Sequence, residues 1–250
     1  MAGADSPLLR TLSIYLQGST AIATTVKPIA SNEHDLDLVA NLQAQATYPP
    51  GFVKHAIGER LRQHGSYFRI LEEKPRCWRL AYANEFHLDI TPSIPNPACS
   101  NGGELVPDKA VRDWKASNPK GYRALFEKRA ALVPRIRARV MSEFGVATKR
   151  AEIEPYPAPP AFKGLLRRTV QIGKRHRDVH FANDKNGRAP ISVIITTLAS
   201  RSYEYCVTNL VYDTELDLLL DVVRRMPDFI EHRQTASGPM WFIWNETTAG

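Results

Sequence analysis

Leu16-Gln17-Gly18-Ser19-Thr20, followed sixteen residues after Ser19 by Asp35-Leu36-Asp37, is the stretch on which the fold turns. Ser13-Ile14-Tyr15-Leu16 is a run of β-forming residues that stops at Gly18, and Asp35 to Val39 alternates polar and apolar at period two, so both read as strands. Residues i and i+2 of a strand share a face, which lets Asp35 and Asp37 converge on one point. Two adjacent carboxylates repel unless cations lie between them. Hard, oxygen-seeking Mg²⁺ or Mn²⁺ is held by such carboxylates together with substrate phosphates. The Gly-Ser turn supplies the rest of that chemistry: Gly18 lets the backbone approach closely, and Ser19 offers a hydroxyl and an amide to phosphate. Taken singly, a Gly-Ser pair is an ordinary turn and Asp-x-Asp an ordinary solvated strand edge.

Phe86-His87-Leu88-Asp89-Ile90 adds the third element, an aspartate on an apolar strand where an uncompensated charge is disfavoured. Three carboxylates from two strands, beside a phosphate-gripping turn, are what two-metal phosphoryl or nucleotidyl transfer requires. Asp89 would serve the ion that activates the attacking hydroxyl, Asp35 and Asp37 would bridge or bind both ions, and Ser19 would hold phosphates. With metal activation no histidine base is needed, so His34 and His87 read as neighbours rather than actors.

Outward from this centre, Tyr48-Pro49-Pro50-Gly51 signals a turn, and Phe52 to Gln63 places Phe52, Val53, Ala56, Ile57 and Leu61 at helical spacing. Tyr67 to Leu71, Cys77 to Ala83 and Glu85 to Ile90 read as an antiparallel meander, giving one mixed sheet of five strands. Pro92 to Pro107, with four prolines and two adjacent glycines, reads as a surface loop. Helices are expected at Val111 to Trp114, Gly121 to Ala131 and Arg135 to Phe144, then, after the Pro155 to Pro160 linker, at Phe162 to Phe181, Ile191 to Ser200 and Glu215 to His232. The expected class is α+β, a catalytic core over residues 1–107 and a helical lobe over 108–250 that completes a nucleotide cleft.

The 250 residues, 43% hydrophobic and 24% charged, suffice for one large domain or a packed pair. No apolar run approaches the ~20 residues of a membrane span, and MAGADSPLLR lacks the features of a signal peptide. A cytoplasmic protein with no membrane partner is the expectation, and three scattered cysteines exclude a disulfide scaffold or a zinc motif. Thirty-three Lys and Arg against 26 Asp and Glu, +7 in all, favour an anionic partner. Trp78, Trp114, Trp241 and Trp244 read as packing anchors, and Tyr203 and Tyr205 are candidates to stack on a base. Arg135, Arg137, Arg139, Lys149 and Arg150 make a basic face that is either solvated or an interaction surface.

Four segments, Gln17 to Ile22, Thr25 to Pro28, Glu33 to Val39 and Leu88 to Pro95, resemble the bacterial CD-NTases, the cGAS/DncV-like nucleotidyltransferases of CBASS anti-phage defence. Arg168 to Asp178 and Pro190 to Leu198 are similar to the helical lobe of that family. The resemblance implies a polymerase-β-like core and two Mg²⁺ (or Mn²⁺) ions at Asp35, Asp37 and Asp89. It also implies a reaction that joins and cyclises two or three nucleoside triphosphates, ATP among them, into a second messenger. Gly18, Ser19, Lys174 and Ser192 are then the nucleotide-binding residues. A lysine ammonium suits phosphate as a point charge, and a serine at a helix start presents its hydroxyl and free amides; read without the family, Lys174 lies on an exposed basic helix face. The Lys-Arg-His-Arg and Ile-Thr-Thr-Leu segments lean towards relatives making adenine-rich trinucleotides, switched on by a HORMA-domain protein with nucleic acid. Family members extend further than this chain at both ends. A transferase that modifies RNA or protein, and a silent nucleotide-binding module, remain the alternatives.

Overall fold

The structure, a computed structural model, describes residues 9, 11–29, 34–82, 85–108, 110–137, 164–184, 186–236 and 238–248. They fall into two compact units: Met1–Lys128, Lys174–Ala189 and Trp244–Gly250 form the first, and Arg129–Gly173 and Pro190–Ile243 the second. Read from sequence, a single cut fell after residue 107; here the chain past that point first returns to the sheet.

The first unit is built on a seven-stranded mixed sheet. Strands β1 (Ser13–Leu16), β2 (His34–Asn41), β3 (Leu71–Glu73), β4 (Trp78–Tyr82) and β5 (Phe86–Pro95) lie in the order β1-β2-β5-β4-β3, while β6 (Glu104–Pro107) pairs with β5 and with β7 (Trp114–Ser117). The β2–β5 pair is parallel and the other pairs are antiparallel. A short helix α1 (Gly18–Ala21) follows β1, and α2 (Pro50–Arg62) and α3 (Gly65–Phe68) lie between β2 and β3.

The period of two decides which side of the sheet does chemistry. Leu38, Ala40 and Leu42 from the β2 region, Ile90 and Ile94 from β5, and Trp78 and Leu80 from β4 pack with Val53 and Ile57 of α2 into one core. Trp78 is its largest member. It donates its indole N–H to the Lys54 carbonyl at 2.8 Å and packs so closely on α2 that a Cβ at Gly58 would lie 2.1 Å from its ring. Truncating a buried aromatic of this size costs about 3–5 kcal/mol. The alternate residues, Asp35 and Asp37 on β2, His87 and Asp89 on β5 and Arg79 on β4, are consigned to the opposite face.

In the second unit the central element is α6 (Ser192–Asn209), whose Ile195 to Ser200, Ser202, Tyr203, Cys206 and Val207 are buried. It packs against α7 (Glu215–Arg225), where Thr214 caps the first turn by accepting from the Asp217 amide and Ser202 donates to the Val222 carbonyl at 2.7 Å. Helix α4 (Pro119–Ala130) lies mainly in the first unit and is capped by Asn118 on the Gly121 amide. Helix α5 (Leu165–His180) gives its residues up to Gly173 to the second unit and those from Lys174 to the first.

Several sequence expectations change. The expected strand Tyr67 to Leu71 is helix α3 followed by a strand that begins at Leu71, because only from there do residues pair with β4. The expected loop from Pro92 is strand as far as Pro95, and its last residues form β6. Proline removes a donor but leaves carbonyl acceptors, and Ser93 accepts from the Leu42 amide at 2.9 Å. Val111 to Trp114 is not helical; Trp114 opens β7. The helix expected to reach His232 stops at Arg225, because Pro227 lacks the amide to continue it. A 3₁₀ turn (Met226–Phe229) and a hairpin of β8 (Glu231–Thr235) and β9 (Gly238–Phe242) follow. Most of the expected helix Arg135 to Phe144, the Pro155 to Pro160 linker, and Arg139, Lys149 and Arg150 lie outside the described residues. Trp78 is an anchor and Trp114, half-buried, donates to the Tyr48 carbonyl at 3.0 Å, whereas Trp241 is 71% exposed and Trp244 is exposed as well.

Candidate active site

The parallel register sets Asp35 opposite His87 and Asp37 opposite Asp89, and the next pair sets Arg79 opposite Asp89. One row thus runs Asp37, Asp89, Arg79 across three strands, with Asp35 and His87 one step along. Directly opposed residues of neighbouring strands lie close enough to interact on one face. Arg79 grips Asp89 with both ends of its guanidinium, Nε donating to Oδ1 at 2.7 Å and Nη2 to Oδ2 at 2.8 Å. His87 Nε2 lies 2.8 Å from Asp35 Oδ1. Potential ligand atoms of Asp35, His87 and Asp89 all fall within 4.8 Å of one another.

Asp37 occupies the inner end of the row. Burial, then the charges of Asp35 and Asp89, raise its pKa to about 6 against the opposing influence of His87 and Arg79. The Gly18 turn docks beside it: the Gln17 amide donates to the Asp37 carbonyl at 2.9 Å, Gly18 has φ +64°, and a Cβ there would lie 2.3 Å from Asp37 Oδ2. Only glycine combines that backbone with that approach. The Asp35 and Asp89 carboxylates and the His87 imidazole at this spacing, with the Asp37 carboxyl near enough to feel both aspartates, fit divalent cations.

Ser19 is half-buried and its carbonyl accepts from the Thr24 amide at 2.9 Å. Lys174 is buried rather than on an exposed face, and its ammonium donates to the Thr24 carbonyl and hydroxyl. The two aspartate strands, the Gly-Ser turn and Lys174 are therefore gathered in the first unit. Ser192 belongs to the second, where it opens α6 and its carbonyl accepts from the Thr196 hydroxyl. Tyr203 is buried with its hydroxyl donating to the Leu132 carbonyl at 3.0 Å, which removes it as a base-stacking platform; Tyr205 is exposed. Sequence reasoning missed Arg79 and set His87 aside. Arg79 carries a signal, a cation at period two between the apolar Trp78 and Leu80, but only strand register reveals its partner.

Two expectations follow from these charges. The folded Asp37 carboxyl keeps its proton to about pH 6, while the unfolded one releases it near 3.8. The metal-free protein therefore holds this contribution below about pH 4 and loses it as pH climbs through 6. Allowing for partial exposure, the loss is about 2 kcal/mol. Asp37→Asn, scanned thermally in EDTA, should gain on the wild type across that window; parallel curves would show that the crowding is absent. Arg79→Met leaves Asp89 facing Asp37 without its cation. It should cost about 2 kcal/mol at pH 7.5 without metal, and Mn²⁺ should raise its Tm by more than it raises the wild type's. Equal metal responses would show that Arg79 does not balance these carboxylates.

Residues 13–92 match the family model described as Cyclic GMP-AMP synthase DncV-like, nucleotidyltransferase domain, a segment holding β1 to β4, the greater part of β5 and all three aspartates. The c-di-GMP synthase of Roseivirga ehrenbergii is 34% identical over 194 residues, 77% of this chain and 49% of that protein. This chain belongs to the CD-NTases. Cyclic dinucleotide synthase CdnG of Bradyrhizobium diazoefficiens is 29% identical over 210 residues, 77% of this chain and 48% of that protein. The solved CD-NTase CdnG, in complex with GTP, shares the fold with a TM-score of 0.63 at 23% identity, over 98% of this chain and 76% of that one. Escherichia coli MS115-1 CdnC, solved in complex with a HORMA protein, shares it with a TM-score of 0.53 at 12% identity, over 79% of this chain and 51% of that one. The chain spans about half the length of the curated CD-NTases it matches.

Proposed function

We propose that this CD-NTase chain is the catalytic part of a metal-dependent synthase that joins two nucleoside triphosphates, GTP foremost, into a cyclic dinucleotide messenger of anti-phage signalling. The observation that carries this reading is the register that opposes Asp37 to Asp89 with Gly18 packed against Asp37. The likeness to a c-di-GMP synthase supports guanine over the adenine-rich trinucleotides and the ATP first expected.

Asp35, Asp37 and Asp89 would hold two Mg²⁺ or Mn²⁺ ions. When bound, such ions lower the pKa of an attacking sugar hydroxyl and stabilise departing pyrophosphate. The protein's own groups do the positioning. Arg79 fixes the plane of Asp89, and His87 steadies Asp35. The Gly18–Ser19 turn offers its amides and hydroxyl to the terminal phosphates, and Lys174 and Ser192 hold phosphates of the donor nucleotide. No side chain is required as a general base. The cytoplasm, where nucleotides are supplied, is the proposed site of action; no described helix is long and apolar enough to cross a membrane. A HORMA-domain activator with nucleic acid is a partner to add to the assay, given the CdnC complex.

The test incubates the protein with all four labelled nucleoside triphosphates and Mg²⁺ or Mn²⁺, treats with phosphatase and identifies products by mass spectrometry. A resistant guanine-containing cyclic dinucleotide is expected. Phosphatase-sensitive linear products, or transfer onto added RNA or protein, would replace this reading with that of a different transferase. Bound nucleotide with no product, activator included, would make the chain a silent module.

A further inference from the structure

Lys174 is a buried cation whose two hydrogen-bond acceptors are both neutral. The residue is 3% exposed, and its ammonium donates to the carbonyl of Thr24 at 3.2 Å and to the hydroxyl of the same residue at 3.0 Å. Among the described residues no carboxylate forms an ion pair with it. Burial, with Arg177 nearby, pushes its pKa down to about 8 against the opposing influence of the Asp178 carboxylate, which is paired with Arg177. A charge placed this way is costly unless an anion completes its surroundings.

Thr24 is fully buried and makes a third connection: its amide donates to the Ser19 carbonyl at 2.9 Å. One residue thus joins the Gly18–Ser19 turn to a helix 150 positions away along the chain. Arg175, the next residue of α5, repeats the attachment by donating to the Lys27 carbonyl at 2.5 Å, so the segment after α1 is fastened to α5 at two points. A tetrahedral ammonium has three hydrogens, and once two are directed at fixed oxygens the direction of the third is set.

We propose that Thr24 is a positioning residue that fixes two of the three ammonium hydrogens of Lys174 while holding the Ser19 carbonyl, so that the remaining hydrogen and the Ser19 turn meet a nucleotide phosphate as one rigid unit. This rests on the reading above that Lys174 holds phosphate. The ligand class is a nucleoside triphosphate, whose charge supplies an anion in direct contact with the ammonium. Thr24 itself touches no nucleotide; it acts through Lys174 and Ser19.

The experiment measures GTP binding by calorimetry with Ca²⁺ as an unreactive ion, alongside thermal unfolding without nucleotide. Thr24→Val and Thr24→Ala remove the hydroxyl and are read in parallel, so a folding failure of one leaves the other. Each should raise the Kd for GTP about 10-fold, whereas Thr24→Ser, which keeps every acceptor, should stay within about twofold of wild type. Lys174→Met should weaken GTP binding, and adding Thr24→Val to it should weaken binding no further. Wild-type affinity in Thr24→Val and Thr24→Ala beside a weakened Lys174→Met would overturn the role of Thr24 alone, as would additive effects in the double variant. Unchanged GTP binding in Lys174→Met would overturn both this role and the phosphate reading beneath it.

Discussion

Asp89→Asn is expected to abolish nucleotidyl transfer, lowering kcat/KM by roughly 10³-fold or more, a loss of about 4 kcal/mol of transition-state stabilisation. The substitution changes one oxygen for an amide and keeps the shape of the side chain. Arg79 can still donate to the remaining oxygen, and Asp37 loses one of the two charges that crowd it. Fold and metal-free Tm should therefore hold within a few degrees. The double change Asp35→Asn/Asp37→Asn should be equally inactive and at least as stable without metal, since it empties the row of repelling charge. Product formation by mass spectrometry and thermal unfolding together decide the matter; turnover retained by either variant would remove the proposed mechanism.

Gly18→Ala is the second large effect. Two penalties meet at this position: a left-handed φ of +64° that costs an alanine about 1 kcal/mol, and a new methyl 2.3 Å from Asp37 Oδ2. The carboxylate can yield only by rotating, which takes its oxygens out of the row it shares with Asp89. Destabilisation of about 2 kcal/mol and a fall in rate of about 10²-fold are expected, because small displacements of a positioned group are costly in catalysis. In an Asp37→Ala background only the backbone penalty should remain. A Gly18→Ala cost that is the same in both backgrounds would show that the turn does not press on Asp37.

The strands that carry this site were legible because their periods are clean. Asp35 to Leu38 and Phe86 to Ile90 alternate polar and apolar residues, and α2 shows its spacing from Phe52 onward. Proline hid β6 and the end of β5, since its missing donor suggests a loop although its neighbours still accept bonds. The β8–β9 hairpin was obscured by the amphipathic helix that runs towards it. At the site, residue types announced the three aspartates and Gly18. The partners were beyond reach: Arg79 and Asp89 meet through register, and Thr24 and Lys174 through a contact no local pattern encodes. Ser192 was placed at a helix start, as found, but its placement there does not itself bring it to the aspartates.

The parallel alignment of β2 and β5 also bears on how the molecule comes into being. Asp37 and Asp89 stand 52 positions apart in register, and a parallel pair can form only after the intervening chain has crossed back over the sheet. Such distant pairings pay their loop-closure entropy first and form late. A nascent chain emerging from the ribosome carries Asp35, Asp37 and the Gly-Ser turn well before Asp89 arrives. The three aspartates thus cannot be brought together until synthesis has passed the fifth strand.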